Sequence, residues 1–323
     1  MSVQKKRMLL SLVLYAALAC AAWILLGDCV SAFQARRHQE RLRSLYHGHD
    51  ALSFFVPRAA AEEFLTEAVP YFQESSLEEE KSRPQSSPIP PVFEALEERP
   101  TPPPIQNDFQ ALYEVNPDVI GWLTAGEVID YPVVQRDNEA YLSINFYGKK
   151  DANGALFLHE AGKIWPRSTV LQIYGHAMRG SAMFGTLRQY KDEVYLRQNP
   201  MVTLRTIYDE TPQFYVPFAG FDASMLFNDR WYFDLARINF GSPEAYRAYL
   251  EEVQSRSYWH TPIEVGTEDE LLVLITCSYI QNNGRFLLFC RKLREGEEPE
   301  AVYSIVSGDP WSLPNPGEDI TTP

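Results

Sequence analysis

The run Leu271-Leu-Val-Leu-Ile-Thr-Cys277, followed after seven residues by Arg285-Phe-Leu-Leu-Phe289, decides the fold of this chain. Both runs are short and apolar, which is typical of buried strands. The segment between them contains two asparagines and a glycine, and strands joined by so short a turn-rich loop pair as an antiparallel hairpin. The hairpin places Cys277 and Arg285 at one rim of the sheet, facing each other across the loop.

This pair of residues predicts nucleophilic chemistry. A neighbouring guanidinium favours the thiolate of Cys277, the form that attacks carbonyl carbons. Arg285 can also stabilise negative charge that develops on a substrate oxygen. The alternative is a buried core cysteine beside an arginine that merely begins the next strand.

A third candidate is His176, which ends the run Thr169-Val-Leu-Gln-Ile-Tyr-Gly-His176. Imidazole is the usual general acid near neutral pH, although a single histidine at a strand end is more often structural. The remaining histidines are weaker candidates because they precede the folded domain (His38, His47, His49), sit beside Glu160 in a loop (His159) or follow a helix (His260).

The surrounding sequence predicts a mainly β domain that begins near Gln106. Many short apolar runs separated by Gly, Asn, Asp and Pro indicate a sandwich or barrel. Besides those above, they are Tyr131–Val134, Ala155–Leu158, Val202–Ile207 and Phe214–Phe221. A short helix is predicted over Asp108–Val115, closed by Asn116-Pro117.

One longer helix interrupts the predicted strands, before the cysteine strand. Ser242 suits its N-cap and Pro243 its first position. Apolar residues then recur at helical spacing, at Tyr246, Tyr249, Leu250 and Val253.

The N-terminus predicts a membrane anchor. Lys5, Lys6 and Arg7 precede an uncharged stretch of twenty residues, Met8–Gly27, which is long enough to span a bilayer. The positive flank predicts a cytoplasmic N-terminus and an exported remainder, on the extracellular face of the membrane. A cleaved signal peptide is the alternative, but the small residues lie within the run, not after it.

Composition divides the rest of the chain and excludes some functions. Residues 66–104 are rich in Pro, Glu and Ser, as in an extended spacer. The net charge of −14, without a basic patch beyond the N-terminal region, argues against nucleic-acid binding. No Cys/His spacing suggests a metal site. We predict these segments: N-terminus 1–7, anchor 8–27, juxtamembrane segment 28–65, whose composition is compatible with a helix, spacer 66–104, folded domain 105–308 and disordered tail 309–323.

Taken in order, several motifs of the folded domain resemble class B sortases. They are Asn116-Pro-Asp-Val-Ile-Gly-Trp122, Asp130-Tyr-Pro-Val-Val134, Asn138-Glu-Ala-Tyr-Leu142, Tyr174-Gly-His176, Ser181-Ala-Met-Phe-Gly185, Thr276-Cys277 and Arg285. None is decisive alone, but together they span about residues 107–295.

The resemblance implies an eight-stranded sortase β-barrel with N-terminal helices, and a cysteine transpeptidase without a cofactor. Such enzymes cleave a C-terminal, NPxT-like sorting signal after Thr, hold the acyl group as a thioester and pass it to an amine. The roles implied here are nucleophile for Cys277, proton shuttle for His176 and oxyanion stabilisation for Arg285. Asn138, Leu142 and Tyr174 match positions that line the substrate groove. The acceptor is a peptidoglycan precursor amine or, alternatively, a pilin lysine.

Some features depart from the resemblance. Ile275 replaces a Ser or Thr before Thr-Cys, and Leu158-His-Glu160 replaces a more acidic or aromatic loop. Cys290 matches no functional position, and its alternation in the last strand predicts a small core residue.

Two rival functions are a catalytically silent surface-tethered binding module, which would lose a site residue, and a papain-like hydrolase, which would place its cysteine at a helix N-terminus.

Overall fold

The computed structural model describes residues 36–47, 101–178, 182–277 and 284–308 of the chain. The strands of this part are β1 (Val119–Ala125), β2 (Ile129–Val134), β3 (Leu156–Leu158), β4 (Val170–His176), β5 (Val202–Thr206), β6 (Gln213–Ser224), β7 (Leu271–Cys277) and β8 (Gly284–Lys292). The helices are α1 (36–47), α2 (Gln110–Val115), α3 (Glu193–Gln198), α4 (Pro243–Ser255) and α5 (Pro299–Ser307).

The strands close into a barrel in the order β1-β2-β3-β4-β7-β8-β6-β5. The pairs β2–β3 and β4–β7 are parallel, and the other pairs are antiparallel. Closure leaves no strand edge unpaired in the ring. The predicted mainly β, eight-stranded barrel and the predicted β7–β8 hairpin are both confirmed.

Alternate residues of every strand fill the barrel interior, as the two-residue repeat of a strand requires. In β4 and β7 these are Leu171, Ile173, Leu272 and Leu274, all buried in one apolar cluster. The residues between them point outward, and most of them are buried in a second apolar cluster on the outside of the barrel. Most residues of β4, β7 and β8 are therefore buried, and the candidate site residues lie where these strands end or begin.

Helix α4 covers part of the outer face and confirms the predicted helix. The hydroxyl of Ser242 accepts a hydrogen bond from the backbone N–H of Ala245 at 3.2 Å, and Pro243 occupies the first turn. The predicted apolar positions of α4 are all buried against β6, β7 and β8. The predicted helix at residues 108–115 is also present, as a 3-10 turn (Asn107–Phe109) that continues into α2.

Three elements were not among the predicted ones: β1, α3 and α5. The sequence shows β1 only as part of the Asn116–Trp122 motif, and Gly121 lowers its strand propensity. The glycine is needed there, since a Cβ at residue 121 would lie 2.5 Å from the backbone oxygen of Arg205 on β5.

Helix α1 lies within the predicted juxtamembrane segment and packs against β1 and β2. The ring of Tyr46 stacks on Trp122 with centroids 4.5 Å apart. Gln39 donates a hydrogen bond to the backbone oxygen of Val128 at 3.2 Å. Leu42 is buried in the same contact. The helix is therefore part of the wall around the barrel.

The predicted anchor, spacer residues 66–100 and tail residues 309–323 lie outside the residues that the structure describes. Within the described ranges, no helix combines the length and the apolar character needed to cross a bilayer.

Candidate active site

The site begins with the backbone of Cys277, the last residue of β7. In the parallel pair β4–β7, Cys277 is the direct partner of His176, the last residue of β4. Paired strands lie roughly 4.8 Å apart. In the antiparallel pair β7–β8, Leu271 faces Arg291 and Ile275 faces Leu287. If this register continues for two more residues, Arg285 lies opposite Cys277. The side chain of Cys277 lies outside the described residues.

All three positions belong to the outer face of the barrel. The adjacent residues Gly175, Thr276 and Phe286 belong to the inner face. Phe286 lies in the interior cluster. A Cβ on Gly175 would meet Leu156 and Phe184 of that cluster. Because strand residues alternate, 176, 277 and 285 share the opposite face. The predicted meeting of the three residues at one rim therefore follows from the strand register.

His176 is almost wholly buried, with 3% of its surface exposed. Its Nε2 lies 2.7 Å from the backbone oxygen of Leu142. A carbonyl oxygen can only accept, so Nε2 carries the proton in this contact. Leu142 ends a 3-10 turn, Ala140–Leu142, that crosses the end of β4. Among the described residues, this backbone oxygen orients the imidazole.

Arg285 is half-buried near the start of β8 and is the direct partner of Ala223 on β6. Its Nη1 donates to the backbone oxygen of Gly284 at 3.3 Å. The backbone N–H of Phe286 donates to the hydroxyl of Thr276 at 2.9 Å. This contact ties β7 to β8 directly beside the cysteine, so the rim keeps its register up to the residues of the site.

The predicted groove residues Asn138, Leu142 and Tyr174 are brought to the same side of the barrel. The side-chain amide of Asn138 donates to Nε2 of His159 at 3.2 Å, and its oxygen accepts the N–H of Glu160 at 2.9 Å. The His159 ring lies 6.0 Å from that of Tyr174. Burial lowers the pKa of His159, which favours the neutral ring.

Sequence reasoning missed two features of this region. The sequence ranks His159 among the weaker candidates, yet its ring lies between Asn138 and Tyr174, and no motif or spacing in the sequence signals this contact. The contribution of Leu142 to the His176 contact comes through its carbonyl, which every residue carries and which has no sequence signature.

Ile275 in β7 and Cys290 in β8, which depart from the family pattern, both lie in apolar surroundings. Ile275 is fully buried on the outer face and packs in the cluster under α4. Cys290 is fully buried in the interior, where burial raises the pKa of its thiol well above the ordinary range. Cys290 pairs with Leu272, five residues from Cys277, which is about 17 Å along the strand. A disulfide between them is therefore excluded. The prediction that Cys290 is a core residue is confirmed.

The chain resembles known proteins in both sequence and structure. No family model matches. Sortase B of Listeria monocytogenes is 27% identical over 188 residues, which cover 54% of this chain and 68% of the relative. Among solved structures, Clostridium perfringens sortase B is 28% identical with a TM-score of 0.51, and the match covers 57% of this chain and 98% of that one. These similarities support a class B sortase.

A second solved sortase supports the same family. Sortase B from B. anthracis, in complex with AAEK1, is 25% identical, covers 59% of this chain and 86% of its own, and has a TM-score of 0.53. The same similarities support a cysteine transpeptidase. The papain-like alternative is wrong, because Cys277 ends a strand rather than beginning a helix.

Proposed function

We propose that this sortase cleaves a C-terminal sorting signal with Cys277 as nucleophile, His176 as proton shuttle and Arg285 as oxyanion stabiliser. The observation that carries the proposal is the strand register, which brings three residues of these types to one rim and one face. A buried apolar barrel beneath them keeps the rim rigid, as a preorganised site requires.

The reaction has two acyl transfers. In the first, the thiolate of Cys277 attacks the carbonyl carbon of the signal's threonine, the C–N bond breaks, and His176 gives its proton to the leaving amine. The product is a thioester on Cys277. In the second, an incoming amine loses a proton to His176 and attacks the thioester, and the C–S bond breaks to restore the thiolate.

Arg285 acts on the oxygen that becomes negative in both steps. A guanidinium presents planar, paired donors that match an oxyanion and a neighbouring peptide oxygen. Its position beside the strand end also favours ionisation of Cys277. Both effects need the guanidinium at the rim, which β8 supplies by beginning there.

The substrate groove in this proposal runs over Asn138, Leu142 and Tyr174 toward the catalytic rim. A B. anthracis sortase B was solved with a bound molecule, AAEK1, which supports a ligand groove in this family. We favour a peptidoglycan precursor amine as acceptor, with pilin polymerisation as the second candidate. The proposal needs no metal or organic cofactor.

We further propose that residues 8–27 are an uncleaved anchor that holds the barrel outside the membrane. The support is the apolar run behind Lys5, Lys6 and Arg7. Protease added to cells stripped of their wall should release a domain cut within residues 66–104. A mature N-terminus just after Gly27 would show instead that the segment is a cleaved signal.

The enzyme is tested by mass spectrometry of the full-length protein with a panel of sorting-signal peptides and amine acceptors. We expect cleavage after threonine, a thioester adduct on Cys277, and transfer to the amine. Intact peptides with every member of the panel, from a folded protein, would contradict the proposal.

A further inference from the structure

The contact between His176 and the Leu142 carbonyl raises the question of what holds that carbonyl in place. Leu142 itself is only half-buried, and its turn is one of the short 3-10 segments. The start of the turn is held by the Asp137 side chain, which accepts the backbone N–H groups of Glu139 and Ala140 at 2.9 and 2.6 Å. The side chain of Asp137 is 48% exposed, so water competes with these bonds.

A second restraint is Tyr141, the residue before Leu142. Its side chain is 2% exposed, and its hydroxyl lies between two polar groups. The hydroxyl donates to the Asp118 carboxylate at 2.7 Å and accepts from the Asn116 amide at 3.0 Å. Burial raises the pKa of Tyr141, so the hydroxyl keeps its proton and stays a donor at any working pH.

Asn116 extends this network into the rest of the loop. Its amide also donates to the backbone oxygen of Phe146 at 2.8 Å, and its side-chain oxygen accepts the N–H of Asp118 at 3.0 Å. The asparagine is 5% exposed, so its hydrogen bonds are made away from water. Buried polar groups with satisfied partners specify one arrangement, because every alternative leaves a polar group unsatisfied.

The backbone of Tyr141 is held as firmly as its side chain. Its oxygen accepts the N–H of Ala155 at 3.0 Å. Gly154 packs beside it with φ +60°, and a Cβ there would lie 2.3 Å from the Tyr141 oxygen and 3.3 Å from Cδ2 of His176. The left-handed backbone and the missing Cβ at residue 154 therefore let the loop close onto both the turn and the imidazole.

We propose that Tyr141, clamped between Asn116 and Asp118, is a positioning residue that holds the Leu142 carbonyl against Nε2 of His176 and so selects the imidazole tautomer used in acyl transfer. The inference rests on the proposed role of His176. With Nε2 protonated, Nδ1 carries the lone pair of the neutral ring and is the nitrogen that exchanges a proton with the leaving and incoming amines. Tyr141 acts through Leu142 and does not touch the substrate.

The test compares Tyr141→Phe with wild type in the full-length protein. The ring nitrogens of 15N-histidine-labelled protein are followed by NMR, and His176→Gln identifies the resonances of His176. We expect Nε2-protonated imidazole in the wild type and a mixture of tautomers in Tyr141→Phe. For the best peptide of the panel, kcat should fall about tenfold, a part of the general-acid contribution, while KM stays within twofold because peptide binding does not require a particular tautomer.

Tyr147→Phe is the matched control, since it removes a hydroxyl from the same loop but from outside the network. It should keep the wild-type tautomer and kcat. If Tyr141→Phe does not fold, as judged by circular dichroism, Asp118→Ala removes the same acceptor from a partly exposed position and should give the same spectrum and the same fall in kcat.

A folded Tyr141→Phe or Asp118→Ala protein with wild-type tautomer populations would overturn the inference, as would a change in KM alone. The NMR readout does not depend on catalysis. If no peptide is cleaved by the wild type, the proposed function fails, and the spectra still decide whether Tyr141 sets the tautomer.

Discussion

The two ends of the β7–β8 hairpin differ in how they use charge. At the end away from the site, Arg291 is 2% exposed and makes a paired contact with both oxygens of Glu297, at 2.7 and 2.9 Å. Lys292 pairs with Glu270 at 3.0 Å, and Arg294 pairs with Asp269 at 2.8 Å. This end is held by ion pairs that connect β8 with the turns around it.

At the site end the hairpin is tied by the Thr276 hydroxyl and the Phe286 backbone instead. Cys277 and Arg285 follow immediately, and His176 joins them from β4. The hairpin therefore has arginine–carboxylate ion pairs at one end and the proposed reactive groups at the other. The comparison predicts that mutations at the site end change catalysis and that those at the far end change stability.

The cysteines of the two strands give the largest expected contrast. Cys277→Ala should abolish peptide cleavage and the thioester adduct, because no other group on the rim is proposed as nucleophile. Cys290→Ala should keep most of the activity and lose roughly 1 kcal/mol of stability, through the small cavity it leaves. Mass spectrometry and chemical denaturation measure the two effects. Full turnover by Cys277→Ala would contradict the proposal that Cys277 is the nucleophile.

Removal of the proton shuttle should have the next largest effect. His176→Ala loses general acid catalysis and should lower kcat/KM by about 10² to 10⁴. The measurement is steady-state kinetics with one peptide. His260→Ala, at an exposed position after α4, is the control and should match wild type. Equal rates for the two variants would remove His176 from the mechanism.

Arg285→Lys tests geometry at constant charge. Lysine lacks the planar fork of donors, and the loss of an oxyanion contact costs roughly 10²-fold in kcat. Arg247→Lys, on the exposed surface of α4, should be neutral. If a well-folded Arg285→Lys enzyme works within a few fold of wild type, then Arg285 supplies charge alone or plays no part.

The far end of the hairpin should affect activity least. Glu297→Ala leaves buried Arg291 without its carboxylate and should cost about 3 kcal/mol of stability. At 25 °C, kcat/KM of the protein that remains folded should stay within twofold of wild type. Glu295→Ala, an exposed carboxylate of the same turn, is the control for both thermal denaturation and kinetics. A loss of kcat/KM in Glu297→Ala, at unchanged folding, would show that the two ends are coupled.

The same pair predicts a pH dependence. The hydrogen bonds from Arg291 lower the pKa of Glu297 in the folded protein. A lowered folded-state pKa gives stability that is present above the unfolded pKa, about 4.5, and is lost as pH falls through the folded value. Thermal midpoints measured from pH 6 to pH 3 should therefore fall more steeply in wild type than in Glu297→Ala. Parallel curves would show that Glu297 does not contribute.

Local sequence determined several parts of this protein. The Ser242–Pro243 start of α4, the alternation that buries Cys290, and the β7–β8 hairpin were all predictable, because each depends on neighbouring residues or a short loop. The hairpin also predicts Cys277 opposite Arg285. The strand end made His176 a candidate, and the resemblance to class B sortases made it the third member of the predicted site.

Tertiary structure alone decided how these parts meet. The parallel pairing that makes His176 the partner of Cys277 joins strands far apart in the chain, and no turn sets its register. The Leu142 contact is made by a backbone oxygen, which every residue has, so no side-chain pattern announces it. The packing of α1 on Trp122 likewise depends on a surface that exists only once β1 and β2 have paired. Local propensity selects the elements, whereas the closed barrel selects which of their ends become neighbours.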